Sequence, residues 1–145
     1  MTDEQLFTQK ARTEVVCFSD QCPLSKHCLR RHLTQYLPDD LRLVTCMNPR
    51  YKDVEAGRCG LFVSDQKVQM ARGMMEFFDE MPGRMTYQVR NALIDRFSRK
   101  IFYAYRKGER LLSPAKQQVI ADILKEHGWE KPPRYDGYVM DYCWE

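Results

Sequence analysis

Residues 86–108 read TYQVRNALIDRFSRKIFYAYRKG, and this stretch carries the strongest secondary-structure signal of the chain. Thr86 is a favoured helix cap, and Gly108 suits the position just after a helix end, where a positive φ is needed. Between them apolar residues recur at three- and four-residue steps, the period of one buried helix face. They are Val89, Leu93, Phe97, Ile101 and Ala104. The stretch therefore predicts one long amphipathic helix that ends near Tyr105.

Three further segments carry helix signals. In residues 23–37, a proline at the first helical position is followed by an apolar stripe. Residues 64–81 show apolar side chains at helical spacing. Residues 114–127 follow Ser113, a favoured cap, and begin with a proline. We therefore expect about four helices in total.

Two segments depart from the helical pattern. Residues 41–47 are apolar and partly β-branched, which predicts a short strand or hairpin near residues 41–63. Residues 129–145 carry tryptophan and tyrosine among prolines and acids, which predicts an extended aromatic C-terminal arm. The fold class is thus mainly α, as a single compact helical domain over residues 1–145. The predicted core comprises Leu33, Leu37, Val68, Phe78, Leu93, Phe97, Ile120, Ile123 and Trp129.

The composition is that of one globular domain. Of the 145 residues, 43% are hydrophobic and 30% are charged, which is too apolar for a disordered chain. No apolar run approaches the ~20 residues that span a bilayer, so the sequence predicts no membrane partner. Within the domain we distinguish a cysteine-rich, metal-binding part at residues 1–63 from a helical part at residues 64–145.

The net charge of +3 conceals a basic segment at residues 84–116, which holds nine Lys and Arg against two acidic side chains. A field of that sign attracts phosphates, anionic ligands and acidic partners. The alternative is a solvated helix face that is neutralised by the acidic residues 117–145. The charge pattern therefore indicates a class of partner without identifying one.

Aromatic and basic side chains alternate in residues 99–110. Aromatic rings can stack on bases while cations hold phosphates, so the pattern suits nucleic acid, including a helix-turn-helix arrangement around Gly108. The candidate contact residues are Arg99, Lys100, Arg106, Lys107 and Arg110. An acidic protein is the other partner that fits. In the competing interpretation, Phe102 and Tyr105 belong to the core.

Five of the six cysteines fall between positions 17 and 59. Residues 1–12 are polar and lack the apolar stretch of a secretory signal, so we expect a cytoplasmic protein with reduced thiols. Clustered thiols in that compartment indicate a metal site rather than disulfides. The candidate ligands are Cys17, Cys22 and Cys28, with His32, Cys46 or Cys59 as the fourth.

Zn²⁺ is the metal that the residues favour, because four thiolates bind it tetrahedrally. With His32 as the fourth ligand, the spacing Cys-x4-Cys-x5-Cys-x3-His is similar to that of short zinc fingers that bind single-stranded RNA. Those fingers usually carry interleaved glycines and aromatics, whereas here Phe18 is the only aromatic between the first and last ligand and there is no glycine. An iron–sulfur cluster also takes four thiolates, but its dense Cys-x2-Cys-x2-Cys run is absent. Free thiols in an ordinary core are the third possibility.

Several motifs together support a family resemblance. They are Cys17-x4-Cys22-Pro23-x4-Cys28-x-Arg30, Asn48-Pro49, Cys59-x2-Phe62, Tyr103-x-Tyr105-Arg106-x-Gly108-Glu109-Arg110-x2-Ser113-Pro114 and Tyr142-x-Trp144. Through them nearly the whole chain resembles a family of short bacterial proteins of unknown function, found mainly in gut anaerobes. The resemblance implies a four-cysteine site made of Cys17, Cys22, Cys28 and Cys59. It implies no activity.

No catalytic signature is present. The chain lacks a Gly-rich phosphate loop, a Gly-x-Ser-x-Gly elbow, a His-Glu-x-x-His pair and a dinucleotide fingerprint. A zinc ion held by four thiolates has no open position for water and is structural. We therefore expect a non-catalytic, zinc-stabilised interaction module that binds nucleic acid or an acidic protein, with no small-molecule substrate. The alternative is a small iron–sulfur protein with a redox or sensing role.

Overall fold

The computed structural model describes residues 1–145 and contains five α-helices and one two-stranded antiparallel sheet. The helices are α1 (Asp3–Thr13), α2 (Leu29–His32), α3 (Gly83–Phe97), α4 (Arg99–Lys107) and α5 (Pro114–Glu126). The strands are β1 (Val68–Arg72) and β2 (Gly137–Asp141). The prediction of a mainly helical fold is confirmed. None of the helices combines the length and the apolar character needed to cross a membrane.

The chain divides into two compact units. Unit 1 comprises Met1–Gln66 together with Trp144–Glu145, and unit 2 comprises Lys67–Cys143. The boundary at residue 66 lies close to residue 63, where the sequence separates the cysteine-rich part from the helical part. The cysteine cluster and the basic segment therefore belong to different units.

Unit 1 begins with α1, which the sequence analysis did not identify. The N–H of Gln5 donates to the Thr2 hydroxyl (3.2 Å), and the N–H of Thr2 donates to the Gln5 side chain (2.9 Å), so the two residues form a capping box. Threonine followed three residues later by glutamine is a helix-start signal that the sequence did offer. In this helix Ala11 is buried in a small core with Val16 and Leu33.

The helix predicted over residues 23–37 is wrong as a continuous element. A 3-10 turn at Ser25–His27 and a second at Leu33–Tyr36 flank the single turn of α2. Cys28 is extended (φ −99°, ψ 120°) and pairs with Ser64 in an isolated antiparallel bridge. Tertiary hydrogen bonding at this position therefore overrides the local helical pattern.

The strand or hairpin predicted near residues 41–63 does not form. The segment contributes one residue, Cys46, to an isolated parallel bridge with Val16. The side chain of Leu43 is 82% exposed. A single bridge offers no pleated surface on which β-branched and apolar side chains can pack, and strand propensity depends on such packing.

The helix predicted over residues 64–81 is also wrong. Its centre is β1, which pairs with β2 from Val68 opposite Asp141 to Arg72 opposite Gly137. Part of the segment that the sequence predicts as an extended aromatic arm is therefore a strand. Short apolar runs fit a helix or a buried strand equally well, and here the pairing with a distant strand decides between them.

The long helix predicted over residues 86–105 is interrupted at Ser98. This residue has φ 81° and ψ 156°, ends α3, and caps α4 by accepting the N–H of Ile101 at 3.3 Å. Gly108 follows α4 at φ 77°, as predicted. The start of α5 is also as predicted, with Ser113 as its cap and proline at its first position.

Helices α3, α4 and α5 pack with β1 around the main core of unit 2. Four of the nine predicted core residues are buried: Leu33 in unit 1, and Phe78, Leu93 and Ile120 in unit 2. Four others are half-buried against the core of their own unit: Leu37, Phe97, Ile123 and Trp129. Val68 is half-buried in β1 and belongs to neither core.

Candidate metal centre

Four cysteines of unit 1 line one small cavity: Cys17, Cys22, Cys28 and Cys59. The cavity has a volume of about 20 Å³. One water molecule needs roughly 10–15 Å³, so the space suits a single atom-sized guest. Most of the remaining wall is apolar and comes from Leu24, Met47, Val54, Leu61 and Phe62.

Backbone hydrogen bonds outside the regular elements position two of these cysteines. The N–H of Cys17 donates to the carbonyl of Arg30 at 3.0 Å, which holds the chain at position 17 beside α2. Cys28 is fixed by its bridge to Ser64 and is 8% exposed. Both thiols are therefore attached to backbone that tertiary contacts hold in place.

A close approach of two loops brings Cys59 toward Cys22. Gly57 has φ 69°, and a Cβ built on it would lie 3.2 Å from the Pro23 side chain. Since Pro23 directly follows Cys22, this spacing needs a residue without a side chain at position 57. Gly60, at φ 75°, supplies a second left-handed position just after Cys59.

Two of the sulfur atoms accept backbone N–H groups. The N–H of Ser19 donates to Cys17 Sγ and the N–H of Leu61 donates to Cys59 Sγ, each at 3.4 Å. Each donor lies two residues after its cysteine, so the two turns enclose their sulfur atoms in the same way. The hydrogen bond from Ser19 lowers the pKa of Cys17 and so favours its thiolate, which is the form that binds a metal.

The electrostatics of Cys17 couple it to the other three thiols. Burial raises the pKa of the Cys17 thiol most, and the hydrogen bond from Ser19 opposes this by lowering the pKa. Coulombic repulsion from the other three cysteines of the cavity raises the pKa further. Negative charge on the neighbouring thiols opposes ionisation of Cys17, whereas a bound cation would favour it.

The thiols are not preassembled around an ion. No group of three or more His, Cys, Asp and Glu side chains is already arranged to hold a metal. The approach of the four sulfurs to about 4 Å, which tetrahedral zinc requires, stays a prediction for the loaded protein. His32 does not line the cavity, and its Nε2 lies 2.8 Å from the Lys26 carbonyl. Cys46 is exposed and also lies outside the cavity.

Arg30 is a buried cation at this cavity that sequence reasoning did not single out. It is 9% exposed and lines the cavity wall. Its Nε donates to the Leu61 carbonyl at 2.7 Å and its Nη1 to the Val15 carbonyl at 3.0 Å, so it joins two cysteine-bearing loops. A fixed positive charge here would offset the negative charge of bound thiolates. In the sequence, the one indication that Arg30 belongs to this site was its position at the end of the motif that begins at Cys17.

The five candidate contact residues of the basic segment lie in α4 or just after it. Arg106 is half-buried. The other four are exposed: Arg99, Lys100, Lys107 and Arg110. None of the five forms an ion pair, so neutralisation by the acidic residues does not account for them. Arg99 and Lys100 occupy the first turn of α4, where the helix dipole disfavours cations.

Two of the three aromatic side chains of α4 do not face solvent. Phe102 and Tyr105 are each 1% exposed and belong to the core of unit 2. Their burial confirms the core interpretation and contradicts stacking of bases on these two rings. What α4 presents to solvent is therefore mainly charge, and Tyr103, which is half-buried, is its one partly exposed aromatic side chain.

Residues 1–144 match the model of a family of unknown function (DUF6078), and the chain belongs to this family. Neither the curated proteins nor the solved structures contain a match to the chain. The bacterial origin of the family, its occurrence in gut anaerobes and its four-cysteine pattern stay predictions. Membership brings no activity with it.

Proposed function

We propose that the protein is a cytoplasmic, non-catalytic interaction module whose unit 1 is stabilised by a structural zinc ion. The observation that carries this proposal is the convergence of Cys17, Cys22, Cys28 and Cys59 on one cavity. Thiolates are soft ligands that suit Zn²⁺. Four of them complete its tetrahedral shell and leave no position for a reactive water.

The size of the cavity favours one ion over a cluster. A space of about 20 Å³ suits a single ion. An iron–sulfur cluster places several iron and sulfide atoms between the same thiolates, so the surrounding chain would have to open. The iron–sulfur protein therefore stays the second candidate.

The state of the cysteines supports the proposed compartment. All six are free, including Cys46 and Cys143, which lie outside the cavity. Secreted domains of this size commonly pair such thiols in disulfides, whereas the cytosol keeps them reduced. A reduced cluster with apolar walls suits a metal-binding cytoplasmic protein.

For the partner, we propose a polyanion, either nucleic acid or an acidic protein, bound by α4 and the residues that follow it. The support is the set of exposed cations without ion pairs at Arg99, Lys100, Lys107 and Arg110. Because Phe102 and Tyr105 are buried, the proposed contacts are with phosphates or carboxylates rather than with stacked bases.

Metal analysis of protein purified without chelators and under nitrogen tests the zinc proposal. We expect one equivalent of zinc per chain and a colourless solution. A brown protein that contains iron and sulfide would instead identify the site as an iron–sulfur cluster. Protein that is fully folded and free of both metals would leave ordinary thiols and overturn the proposal.

A further inference from the structure

Unit 2 contains an open cleft of about 390 Å³ that neither the zinc nor the polyanion proposal uses. We call it the aromatic cleft, and it is lined by Phe77, Trp129, Pro132, Pro133, Tyr135 and Tyr138. The ring centroids of Phe77 and Tyr138 lie 6.2 and 6.0 Å from that of Tyr135. Ligand sites commonly have this volume and this kind of apolar, aromatic wall.

The charged side chains of the aromatic cleft neutralise one another. Lys131 Nζ lies 3.1 Å from Glu80 Oε2, and Arg134 Nη2 lies 2.9 Å from Glu76 Oε2. The hydrogen bond from Lys131 lowers the pKa of Glu80, which keeps this pair ionised. The two acidic and two basic side chains of the cleft are thus paired, and the cleft carries no net charge.

One donor in the cleft wall lacks a partner. The hydroxyl of Tyr135 is buried and makes no hydrogen bond, and Arg90 Nε is the one other buried side-chain polar atom of which this is true. Burial raises the pKa of Tyr135 well above its usual range, so the phenol keeps its proton and remains a donor. Native proteins seldom leave such a group unpaired without a reason.

We propose that the aromatic cleft binds a proline-rich peptide segment in the polyproline II conformation. Proline rings pack flat on aromatic side chains, and a polyproline II segment makes no internal hydrogen bonds, so its carbonyls are available. A tertiary amide has an acceptor and no N–H. It therefore matches an aromatic cleft without net charge whose wall contains one unpaired donor.

Access to the Tyr135 hydroxyl requires a local movement. The hydroxyl is covered in the free protein, and the ring packed edge-on against Tyr135 belongs to Tyr138, which is 54% exposed. An arriving proline displaces the Tyr138 ring and places a carbonyl against the hydroxyl. Since the charges of the cleft are already paired, this binding does not depend on salt, in contrast to the proposed polyanion contact.

Fluorine NMR of protein labelled with fluorotryptophan tests this proposal. The chain has two tryptophans, of which Trp129 lines the cleft and Trp144 belongs to unit 1. The probe is an acetylated oligoproline amide of about ten residues, roughly 30 Å long as polyproline II. We expect it to shift the Trp129 resonance at low and high salt and to leave the Trp144 resonance unchanged. The variant Trp144→Phe assigns the two signals.

Two substitutions make the test specific. Tyr135→Phe removes a hydroxyl that has no intramolecular partner, so the fold is retained and binding weakens about three- to tenfold. Tyr138→Ala removes the exposed side chain that forms one wall of the cleft, so it should weaken binding more than Tyr135→Phe does. The matched control is Tyr87→Ala on α3 of the same unit, where the side chain is 66% exposed and lies outside the cleft. That variant should bind as the parent does.

Four results would overturn the proposal. The first is an unchanged Trp129 resonance at millimolar oligoproline, and the second is an equal shift with a glycine-serine peptide of the same length. The third is parental affinity in both Tyr135→Phe and Tyr138→Ala. The fourth is affinity that falls steeply with salt, because that would assign the cleft to a charged ligand.

Discussion

Single residues decide whether the thiols of unit 1 can close around an ion. Gly57 adopts a positive φ of 69°, and a Cβ there would lie 3.2 Å from the Pro23 side chain, so a larger residue would strain the backbone and tighten this contact. Arg30 acts from the other side, because its two backbone contacts hold the loops that carry Cys17 and Cys59. Neither residue is a ligand, yet the geometry of the ligands depends on both.

Replacing any one of the four cavity cysteines with serine should remove zinc and destabilise the protein. Serine is a poor zinc ligand, so each of Cys17→Ser, Cys22→Ser, Cys28→Ser and Cys59→Ser should retain well under one equivalent. Structural zinc contributes several kcal/mol to folding, so the Tm should fall by roughly 10 °C or more. Metal analysis and scanning calorimetry measure the two effects together.

The matched control for these variants is Cys46→Ser. Cys46 is an exposed cysteine of the same unit and lies outside the cavity, so its replacement should change neither the zinc content nor the Tm by much. Equal loss of zinc from Cys46→Ser and Cys59→Ser would contradict the assignment of the ligands. Full zinc retention by all four cavity variants would contradict the site itself.

The sequence made the cysteines visible as candidates but did not reveal what holds them together. Their density between positions 17 and 59 indicated a cluster of thiols. The contact between Gly57 and Pro23 and the two carbonyls bound by Arg30 join positions far apart in the chain, and no local pattern encodes such pairings. His32 was an alternative fourth ligand on the basis of its spacing from Cys28, and in the structure its ring lies against the Lys26 carbonyl and outside the cavity.

Among the elements, the junction between α3 and α4 contains an unusual backbone. Ser98 is the one non-glycine residue with positive φ, and at φ 81° and ψ 156° it occupies a region that is almost reserved for glycine. The serine hydroxyl also caps α4 by accepting the N–H of Ile101. The residue therefore combines backbone strain with a favourable cap.

Substitutions at Ser98 should separate these two contributions. Ser98→Ala loses the cap and keeps the strained backbone, so the free energy of unfolding should fall by about 1 kcal/mol. Ser98→Gly also loses the cap but relieves the strain, so its cost should be a few tenths of a kcal/mol or less. Chemical denaturation measures the free energy of unfolding of both variants, and we expect Ser98→Ala to be less stable than Ser98→Gly.

The control for this pair is Gln88, an exposed residue inside α3. On ordinary helical backbone the order reverses, so Gln88→Gly should be less stable than Gln88→Ala by about 1 kcal/mol. The same order at both positions would show that Ser98 does not strain the native backbone.

The predictability of the elements depended on whether their signals were local. The cap and proline at the start of α5 lie within a few residues of each other, and that helix was predicted correctly. The break at Ser98 left no trace, because the apolar period of residues 86–105 continues across it. The region of β1 was predicted as a helix, since only its long-range partner β2 distinguishes the two structures.

At the scale of the whole molecule, charge is distributed unevenly along the chain. The basic segment of residues 84–116 lies within unit 2, and its five candidate contact residues have no ion pairs. Unpaired surface cations repel one another, so their concentration on one segment costs some stability. A bound polyanion would remove this repulsion, and the relief would add to the free energy of binding.

Replacing Arg99, Lys100, Lys107 and Arg110 with glutamate should abolish binding to nucleic acid if that is the partner. Four phosphate contacts release four sets of counterions, so parental affinity should fall about a hundredfold for a fourfold rise in salt. Fluorescence anisotropy with labelled duplex DNA and with single-stranded RNA measures both effects. Circular dichroism should show that the helical content of the variant is unchanged, since all four side chains are exposed.

A second quadruple variant controls for net charge. Arg42, Arg50, Lys52 and Lys125 are exposed and lie outside the basic segment, so their replacement with glutamate changes the net charge equally. This variant should bind nearly as the parent does. Equal loss of binding in both variants would indicate a general charge effect, and no binding by the parent would leave an acidic protein as the remaining partner.

Unit 1 has a discontinuous sequence, and this affects the order in which the molecule can be completed during synthesis. Trp144 packs against the core formed by Ala11, Val16 and Leu33, and Lys10 Nζ lies 5.2 Å from the centre of its ring. A ribosome adds roughly 5–20 residues per second, and domains usually fold in the order in which they emerge. Here residues 67–143 must emerge before Trp144 can join the residues at the start of the chain. The first unit to be translated is therefore the second to be completed.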